Sequence, residues 1–432
     1  MKVLWFSPTP SLYGENTVHH NGGGWVGSLE RLLRDTSEVE LGVAFVHEDT
    51  VFKSVQNRVA YYPISANNRL FQKIWRKVGL ANECDSLLEC ALDIIADFKP
   101  DIIHVFGSEF CFGLLSLSTD IPVVVHMQGS LPSYENARFP PGYSRFDLLR
   151  ASRGNPLKLY RLLSNDATFR KRAIREEHIL RSCHYFMGRT EWDRAITSIY
   201  NKTREYEFCS EALRPEIFHH AKEWSQRNGA RRRIELVSTI SMPLYKGMDV
   251  ILKTARLLTQ EFGMDIRWQV FGVDDCKLQE FKAGILSKDC GVFLRGVVEV
   301  EVIRDELLNS DIYVHPSYID NSPNSLCEAQ VLGVPVVATS VGGVSSLIEH
   351  GKSGYLVPAN EPHMMAYRIS QLIDDTALAA QFSCCGAQIA LARHNPSKII
   401  SDLLTIYAKV IRRSAERSRS ESHPSESIRT AR

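Results

Sequence analysis

Short apolar runs rich in β-branched residues alternate along the chain with longer amphipathic segments. A first series of runs occupies residues 2–7, 40–46, 101–107, 121–127 and 184–189, and a second series occupies 233–240, 266–272, 291–296, 312–317 and 334–339. Near-continuous apolarity is typical of strands that helices cover on both faces, as in a parallel sheet. Two such series predict an α/β protein with two Rossmann-like, doubly wound domains.

A polar, basic and poorly periodic stretch separates the two series. We therefore predict a first domain at 1–210, an interdomain linker at 211–232 and a second domain at 233–395. A last helix is expected at 396–413, in a position from which it could return to the first domain. The tail at 414–432 has six serines and almost no apolar residues, which predicts disorder.

Composition excludes several classes of protein. The net charge of +1 gives no global attraction for nucleic acid. The ten cysteines contain no C-x-x-C pair, which favours a reducing compartment over a disulfide framework or a zinc site. No apolar run reaches the ~18 residues of a membrane span. We expect a cytoplasmic protein, with peripheral contact at the inner face of a membrane left open.

Doubly wound sheets bind ligands at the carboxyl ends of their strands. After the first strand, Gly22–Gly24 leads into a predicted helix whose start could face an anion, but the G-x-G-x-x-G dinucleotide fingerprint is missing. His126 ends another strand, where a structural role and a functional role are equally expected. Lys246 and Gly247 open a predicted helix, and Lys246 is either a phosphate ligand or a solvated side chain.

Residues 315–343 hold two carboxylates close to a predicted helix start. Ser322 is the expected N-cap and Pro323 the first helical residue, which would leave the N–H groups of Asn324, Ser325 and Leu326 free for phosphate. Asp320 and Glu328 bracket this start. Their arrangement favours binding of sugar or ribose hydroxyls over a general acid–base pair, which flanks one scissile bond.

This region resembles the donor-binding region of the retaining glycosyltransferases of family four, which have the GT-B fold. That family carries two glutamates separated by seven residues, then A-x-x-x-G-x-P-V-V-A-(S/T)-x-x-G-G and G-x-x-G-x-L-V. The chain has Asp320, Glu328-Ala329, the run from Gly333 to Gly343, and "GKSGYLV" at 351–357. The resemblance is dense over 233–412 and thinner over 1–210.

The resemblance implies transfer of a sugar, of hexosyltransferase type, from a nucleotide diphosphate sugar bound between two domains that face each other across a cleft. Glu328 would hold the ribose and Asp320 the donor sugar, with His126 beside the reacting sugar. The diphosphate would meet Lys246 and backbone near Ser325 and Leu326. The same resemblance places Gly23 and Gly24 against the diphosphate. It places the nucleotide base against the backbone of Arg295–Val297.

Two departures from the family pattern concern the same site. The first family glutamate is Asp320 here, and Ser241 stands where the family usually has an arginine. Arg189 and Arg214 are the candidate replacements for that cation. The chain has no D-x-D triplet, so we expect no metal and no cofactor other than the nucleotide sugar.

The acceptor is expected to meet the first domain. Residues 138–181 contain eleven Lys or Arg against four Asp or Glu, with several aromatic residues, which suits a glycan or lipid-linked acceptor but also a solvated basic helix. We predict a role in polysaccharide or glycoconjugate biosynthesis. The alternatives are a nucleotide-sugar epimerase or hydrolase of the same fold and a non-catalytic nucleotide-sugar binder.

Overall fold

The computed structural model describes residues 1–14, 24–47, 53–65, 83–227 and 233–422. Gly23, linker residues 228–232 and the tail from 423 therefore lie outside the described residues. The described helices are α1 (Gly24–Arg34), α2 (Glu83–Phe98), α3 (Leu131–Ala137), α4 (Asp147–Ser152), α5 (Pro156–Ser182), α6 (Glu191–Tyr200), α7 (Pro215–Phe218), α8 (Met248–Gln260), α9 (Lys277–Ala283), α10 (Val300–Leu308), α11 (Asn324–Leu332), α12 (Pro362–Asp374), α13 (Thr376–Arg393) and α14 (Pro396–Ser422).

The first sheet has the strand order β3-β4-β2-β1-β5-β6-β7-β8. Only β3 runs antiparallel to its neighbour among these described strands. Its strands are β1 (Lys2–Ser7), β2 (Glu40–His47), β3 (Ser54–Gln56), β4 (Val59–Ser65), β5 (Ile102–Phe106), β6 (Val123–His126), β7 (Tyr185–Gly188) and β8 (Glu205–Phe208). The chain order reverses at β1, which lies between β2 and β5.

The second sheet has the order β11-β10-β9-β12-β13-β14, and its described pairs are all parallel. Its strands are β9 (Ile234–Thr239), β10 (Ile266–Phe271), β11 (Val292–Gly296), β12 (Ile312–His315), β13 (Val336–Thr339) and β14 (Tyr355–Val357). The chain order reverses between β9 and β12. A ligand crevice is expected at the carboxyl ends of that pair.

Alternate residues of β1 enter two different cores. Trp5 packs with α1 and with α14 on one face of the first sheet, whereas Phe6 packs with α2 on the other face. Tyr407 of α14 accepts a hydrogen bond from Trp5 Nε1 at 3.0 Å and lies 2.6 Å from His104 Nδ1. The last helix of the chain therefore completes the core of the first domain.

Several short elements differ from the predicted pattern. Three short edge strands were not predicted, namely β3, β8 and β14, and the first two of them are partly exposed. Strand β4 was also missed. The predicted end of the last helix at 413 was wrong, because α14 continues to Ser422. No helix in the described ranges combines the length and apolarity needed to cross a bilayer. All ten cysteines are free thiols.

Candidate functional site

The loops after β9 and β12 meet at the point where the second sheet reverses its strand order. Gly247 follows the 3₁₀ turn Leu244–Lys246 with φ of +81°, and a Cβ there would lie 2.2 Å from the backbone oxygen of Pro316. Only glycine fits both the backbone angle and the space. The helix was predicted to open at Lys246, but α8 begins at Met248 and Lys246 lies in the turn before it.

Asp320 is the centre of a buried polar group at this junction. Its Oδ2 accepts a hydrogen bond from Lys246 Nζ at 2.7 Å and from Ser317 Oγ at 3.3 Å, and it lies 3.0 Å from His315 Nε2. Burial alone would raise the pKa of Asp320, but Lys246 and His315 outweigh burial and hold that pKa well below its usual value. Asp320 is therefore a charged acceptor at the mouth of the crevice.

The glycine pair of the motif holds the Asp320 backbone in place. A Cβ at Gly342 would lie 1.9 Å from the backbone oxygen of Asp320, and the N–H of Gly343 donates to that same oxygen at 3.0 Å. Gly342 also has φ of +50°. A Cβ at Gly343 would lie 2.6 Å from the backbone oxygen of Asn321, so both positions of the pair have a physical reason to be glycine.

Helix α11 starts one residue later than predicted. Pro323 is the N-cap, with no side-chain cap, and Ser322 instead donates to Glu211 Oε1 at 2.6 Å. The N–H of Leu326 bonds to the Pro323 backbone oxygen, so it is not free as predicted. The N–H groups of Asn324 and Ser325 lie in the first turn, where no intrahelical acceptor exists. These two groups remain the candidate anion contacts.

Glu328, in the second turn of α11, is paired with Arg214 from the segment that follows the first sheet. Arg214 Nε and Nη2 donate to the two carboxylate oxygens at 2.7 Å each. A Cβ at Gly24, the first residue of α1, would lie 3.1 Å from Arg214 Cδ. The structure thus brings Gly24, Arg214 and Glu328 together at the seam between the two domains.

Asn321, between the two motif acids, connects the domains directly. Its Nδ2 donates to Asp193 Oδ1 at 2.8 Å and to the Gln128 backbone oxygen at 3.1 Å, and its Oδ1 accepts from Thr190 Oγ1 at 2.8 Å. Thr190 and Asp193 form the capping box of α6. The start of α6 therefore docks on the motif loop of the second domain.

Arg189 does not face the crevice. Its side chain is 5% exposed, with Nη1 3.7 Å from Glu211 Oε1 and Nη2 donating to the Gln128 backbone oxygen at 3.2 Å. The guanidinium also lies over the ring of Trp25, at 5.5 Å. Arg214, with a side chain 29% exposed, is the better placed of the two candidate cations.

His126 is fully buried at the end of β6. Its ring packs against Trp25 and His104, with centroids at 5.1 and 5.4 Å, and neither ring nitrogen has a hydrogen-bond partner among the described residues. Burial, followed by the charge of Arg189, lowers the pKa of His126 to about 3. The imidazole is neutral, and it has no open surface for a sugar in this conformation.

The segment predicted to meet the nucleotide base lies at the end of β11. The Arg295 side chain donates to Gln269 Oε1 and lies 3.8 Å from Glu306. Gly296 uses its backbone N–H and oxygen in bonds to Val273 and Gly272. Val297 follows with an exposed side chain. Arg295 and Gly296 thus already have hydrogen-bond partners within the second domain. Val297 takes part in none of the bonds just described.

Sequence reasoning missed two tyrosines that stack on each other between the domains. Tyr134 of the first domain stacks on Tyr245 of the second at 5.4 Å with an interplanar angle of 14°. His315, the partner of Asp320, was also missed. Tyr245 lies in the loop after β9 and His315 ends β12, so a search of strand ends could have found both residues. Nothing in the sequence signals Tyr134, because its partner comes from the other domain.

Comparison with known proteins finds a family match in the second domain. The family model described as glycosyl transferases group 1 matches residues 231–375. The amylovoran biosynthesis glycosyltransferase AmsK of Erwinia amylovora is 30% identical over 192 residues, which are 42% of this chain and 46% of AmsK. The chain matches less than half the length of this curated relative.

The solved structures cover nearly the whole chain. Sucrose-phosphate synthase from Thermosynechococcus elongatus aligns with a TM-score of 0.70 at 14% identity, over 95% of this chain and 98% of that one. Anabaena HepE in complex with UDP-glucose aligns with a TM-score of 0.60 at 15% identity, over 96% and 100%. These neighbours share the GT-B fold. The chain has the GT-B fold, and residues 231–375 in its second domain match the model of the glycosyl transferases group 1 family.

Proposed function

We propose that this protein is a retaining glycosyltransferase that moves a sugar from a nucleotide diphosphate sugar to a hydroxyl of a glycan or lipid-linked acceptor. The observation that carries the proposal is the pairing of both motif acids with cations beside the start of α11. Asp320 is held by Lys246 and Glu328 by Arg214. Two acids and two cations in this arrangement offer acceptors for hydroxyls and positive charge for phosphates.

Donor binding would exchange partners within these pairs. Donor hydroxyls donate hydrogen bonds to Asp320 and Glu328. The diphosphate oxygens accept hydrogen bonds from Lys246, Arg214 and the first-turn N–H groups of α11. Arg214 then fills the role of the missing cation at Ser241. Fixed cations and helix N–H groups aimed at the leaving diphosphate stabilise the charge that develops there. We therefore expect no metal in this step.

The reaction needs no side-chain nucleophile. The acceptor oxygen attacks the anomeric carbon on the face from which the diphosphate departs, and the bond to the diphosphate breaks with its electron pair. The departing phosphate takes the acceptor proton. The Tyr134–Tyr245 stack and Asn321 hold the cleft closed around the donor, which would exclude water that hydrolyses the sugar. His126 is not assigned a reacting role because it is fully buried.

The first-domain surface suits a membrane-bound acceptor. Helices α4 and α5 expose large apolar side chains next to basic ones: Phe146, Leu149, Leu157, Tyr160 and Leu163. Apolar groups among Lys and Arg favour the interface of an anionic membrane. We propose that the acceptor is lipid-linked and is met at the inner, cytoplasmic face of that membrane. The names of AmsK and of the relative WcaL, a putative colanic acid biosynthesis glycosyltransferase, support a role in polysaccharide assembly.

A panel of donors tests the proposal on purified full-length protein. UDP-glucose is the first donor, since HepE has been solved with it, followed by other UDP-, GDP-, ADP- and dTDP-sugars. Binding and slow nucleotide release without acceptor are measured for wild type, Lys246→Ala and Glu328→Gln. Lys282→Ala is the matched control, because Lys282 also pairs with a carboxylate between the domains, Asp147 at 3.2 Å.

The outcomes separate the candidate functions. One donor that binds and is slowly hydrolysed by wild type and Lys282→Ala, but not by the site variants, supports the transferase. A donor that binds but is never converted to products indicates a non-catalytic binder. A changed configuration of the sugar indicates an epimerase. Absence of binding to every donor would contradict the site itself.

A further inference from the structure

Three buried side chains of metal-ligand type meet at the seam between the domains. Glu211 follows the first sheet, Cys327 lies in α11, and His394 follows the last residue of α13. One ligand atom from each lies within 4.8 Å of the other two. Their exposures are 0%, 0% and 1%.

This cluster holds two buried polar atoms without partners. Glu211 Oε1 accepts from Ser322 Oγ at 2.6 Å, but Glu211 Oε2 has no hydrogen bond within the described part of the chain. His394 Nδ1 lies 3.0 Å from the backbone oxygen of Glu211, whereas its Nε2 also has no partner among those residues. Buried polar atoms are nearly always satisfied, so these two beside a thiol leave a place for an ion or a water.

The geometry suits a tetrahedral cation. Cys327 Sγ donates its S–H to Glu211 Oε1 at 3.6 Å, so an ion here would replace the thiol proton in that contact. Zinc bonds of about 2.3 Å to sulfur and about 2.0 Å to oxygen give a separation of about 3.5 Å at a tetrahedral angle. A histidine that donates Nδ1–H to a backbone carbonyl presents Nε2 to a metal, which is the usual orientation of a metal-bound imidazole.

We propose that Glu211, Cys327 and His394 bind a structural zinc ion. Ser322 Oγ, 3.9 Å from Cys327 Sγ, would fill the fourth position, so that all four ligands come from the protein. Binding breaks the S–H bond of Cys327, the sulfur keeps the electron pair and bonds to zinc, and the proton leaves to solvent. The thiolate and the Glu211 carboxylate then balance the two charges of the ion.

Glu211 forms an ion pair with Arg189, whose Nη1 lies 3.7 Å from Oε1. Without an ion, Arg189 supplies the positive charge that Glu211 needs. With zinc bound, Arg189 keeps its hydrogen bond to the Gln128 backbone oxygen and its position over Trp25. The ion would tie the segment after the first sheet to α11 and to the junction between α13 and α14. Because all three ligands are buried, its role is to fix the domains, not to activate water.

Zinc content and cobalt spectroscopy test this proposal without reference to activity. Full-length protein purified without an affinity tag is equilibrated with zinc sulphate, dialysed against a weak chelator and analysed by mass spectrometry. We expect about one zinc per chain, and at least a tenfold fall in Cys327→Ala and His394→Gln. Cys290→Ala is the matched control, because Cys290 is equally a buried cysteine of the second domain and its thiol bonds only to Leu286 and Ser287 among described residues.

Cobalt substitution protects the test against variants that do not fold. Wild-type protein loaded with cobalt should show a thiolate-to-cobalt charge-transfer band, which is absent for adventitious ions on surface histidines. Retention of zinc by Cys327→Ala at the wild-type level would overturn the proposal. Wild-type protein without retained zinc and without that band would overturn it too, and would point to a buried water as the partner of Glu211 and His394.

Discussion

Arg214 holds both carboxylate oxygens of Glu328, with hydrogen bonds of 2.7 Å across 114 residues of sequence. If Arg214 passes to the diphosphate when donor binds, Arg214→Ala should weaken donor affinity about tenfold or more, because charge-assisted hydrogen bonds contribute about 1.5–3 kcal/mol. The donor affinity of Arg214→Lys should lie between those of wild type and Arg214→Ala, since an ammonium cannot form the bidentate pair. Isothermal titration with the donor that the panel selects measures the affinity.

Arg31→Ala is the control for this series, because Arg31 forms an exposed pair with Glu216 at 3.5 Å. Its donor affinity should equal that of wild type. An Arg214→Ala variant that binds donor more tightly than wild type would show that Arg214 only blocks Glu328.

Gly342→Ala should destabilise the fold far more than Gly351→Ala. Both glycines have positive φ, +50° and +76°, so each alanine incurs about 1–2 kcal/mol of backbone strain. At Gly342 the Cβ also meets the Asp320 backbone oxygen at 1.9 Å, while at Gly351 nothing lies within 4 Å. Urea unfolding should give a loss above about 3 kcal/mol for Gly342→Ala. Equal losses in the two variants would refute the packing role assigned to Gly342.

Asn321→Ala should loosen the contact between the domains. The substitution leaves Asp193 Oδ1 without the amide donor it has now and the Thr190 O–H without its acceptor, which should cost about 2–4 kcal/mol. Hydrogen exchange should rise at the start of α6. Asn309→Ala removes one exposed side-chain hydrogen bond to Asp305 and should have little effect. Unchanged exchange in Asn321→Ala would contradict the docking role.

Glu176 should make the protein less stable as pH rises. It is fully buried, and burial, followed by the charge of Glu109, raises its pKa from 4.5 to about 8. The folded state therefore binds a proton that the unfolded state has released between these values. Over that interval this group lowers the free energy of unfolding by about 1.4 kcal/mol per pH unit.

Glu176→Gln keeps the hydrogen-bonding shape toward Ser108 and Leu131 but cannot ionise. Thermal melts from pH 5 to 8 should therefore show a flatter pH dependence than in wild type. Glu177→Gln, at the exposed neighbour paired with Arg181, should keep the wild-type slope. Parallel slopes for wild type and Glu176→Gln would mean that Glu176 ionises normally in the folded protein.

The fold was predictable wherever apolar runs are continuous. β1 and β9 match their predicted runs within a residue at each end because helices cover both faces of these strands, whereas β8 carries alternating Glu residues at an edge and gives no such signal. The extension of α14 past 413 was missed because a polar sequence can still form a helix once its earlier turns are docked.

The candidate site was predictable as far as it lies in one stretch of sequence. Ser322 and Pro323 predicted a helix start between Asp320 and Glu328, and α11 begins one residue after the predicted position. Their partners were less accessible: Arg214 was one of two equal candidates until its position beside Gly24 distinguished it from the buried Arg189. Contacts between residues far apart depend on how the sheets and domains are arranged, which local patterns do not contain.

The docking of α14 on the first sheet has a consequence for synthesis on the ribosome. The apolar face around Trp5 is covered by residues from Ile399 to Val410, which are made long after the last strand of that sheet. At about 5–20 residues per second, the roughly 190 residues between Phe208 and Ile399 take about 10–40 s to translate. During that time the nascent first domain presents an uncovered hydrophobic face, a surface for chaperones until the final helix emerges.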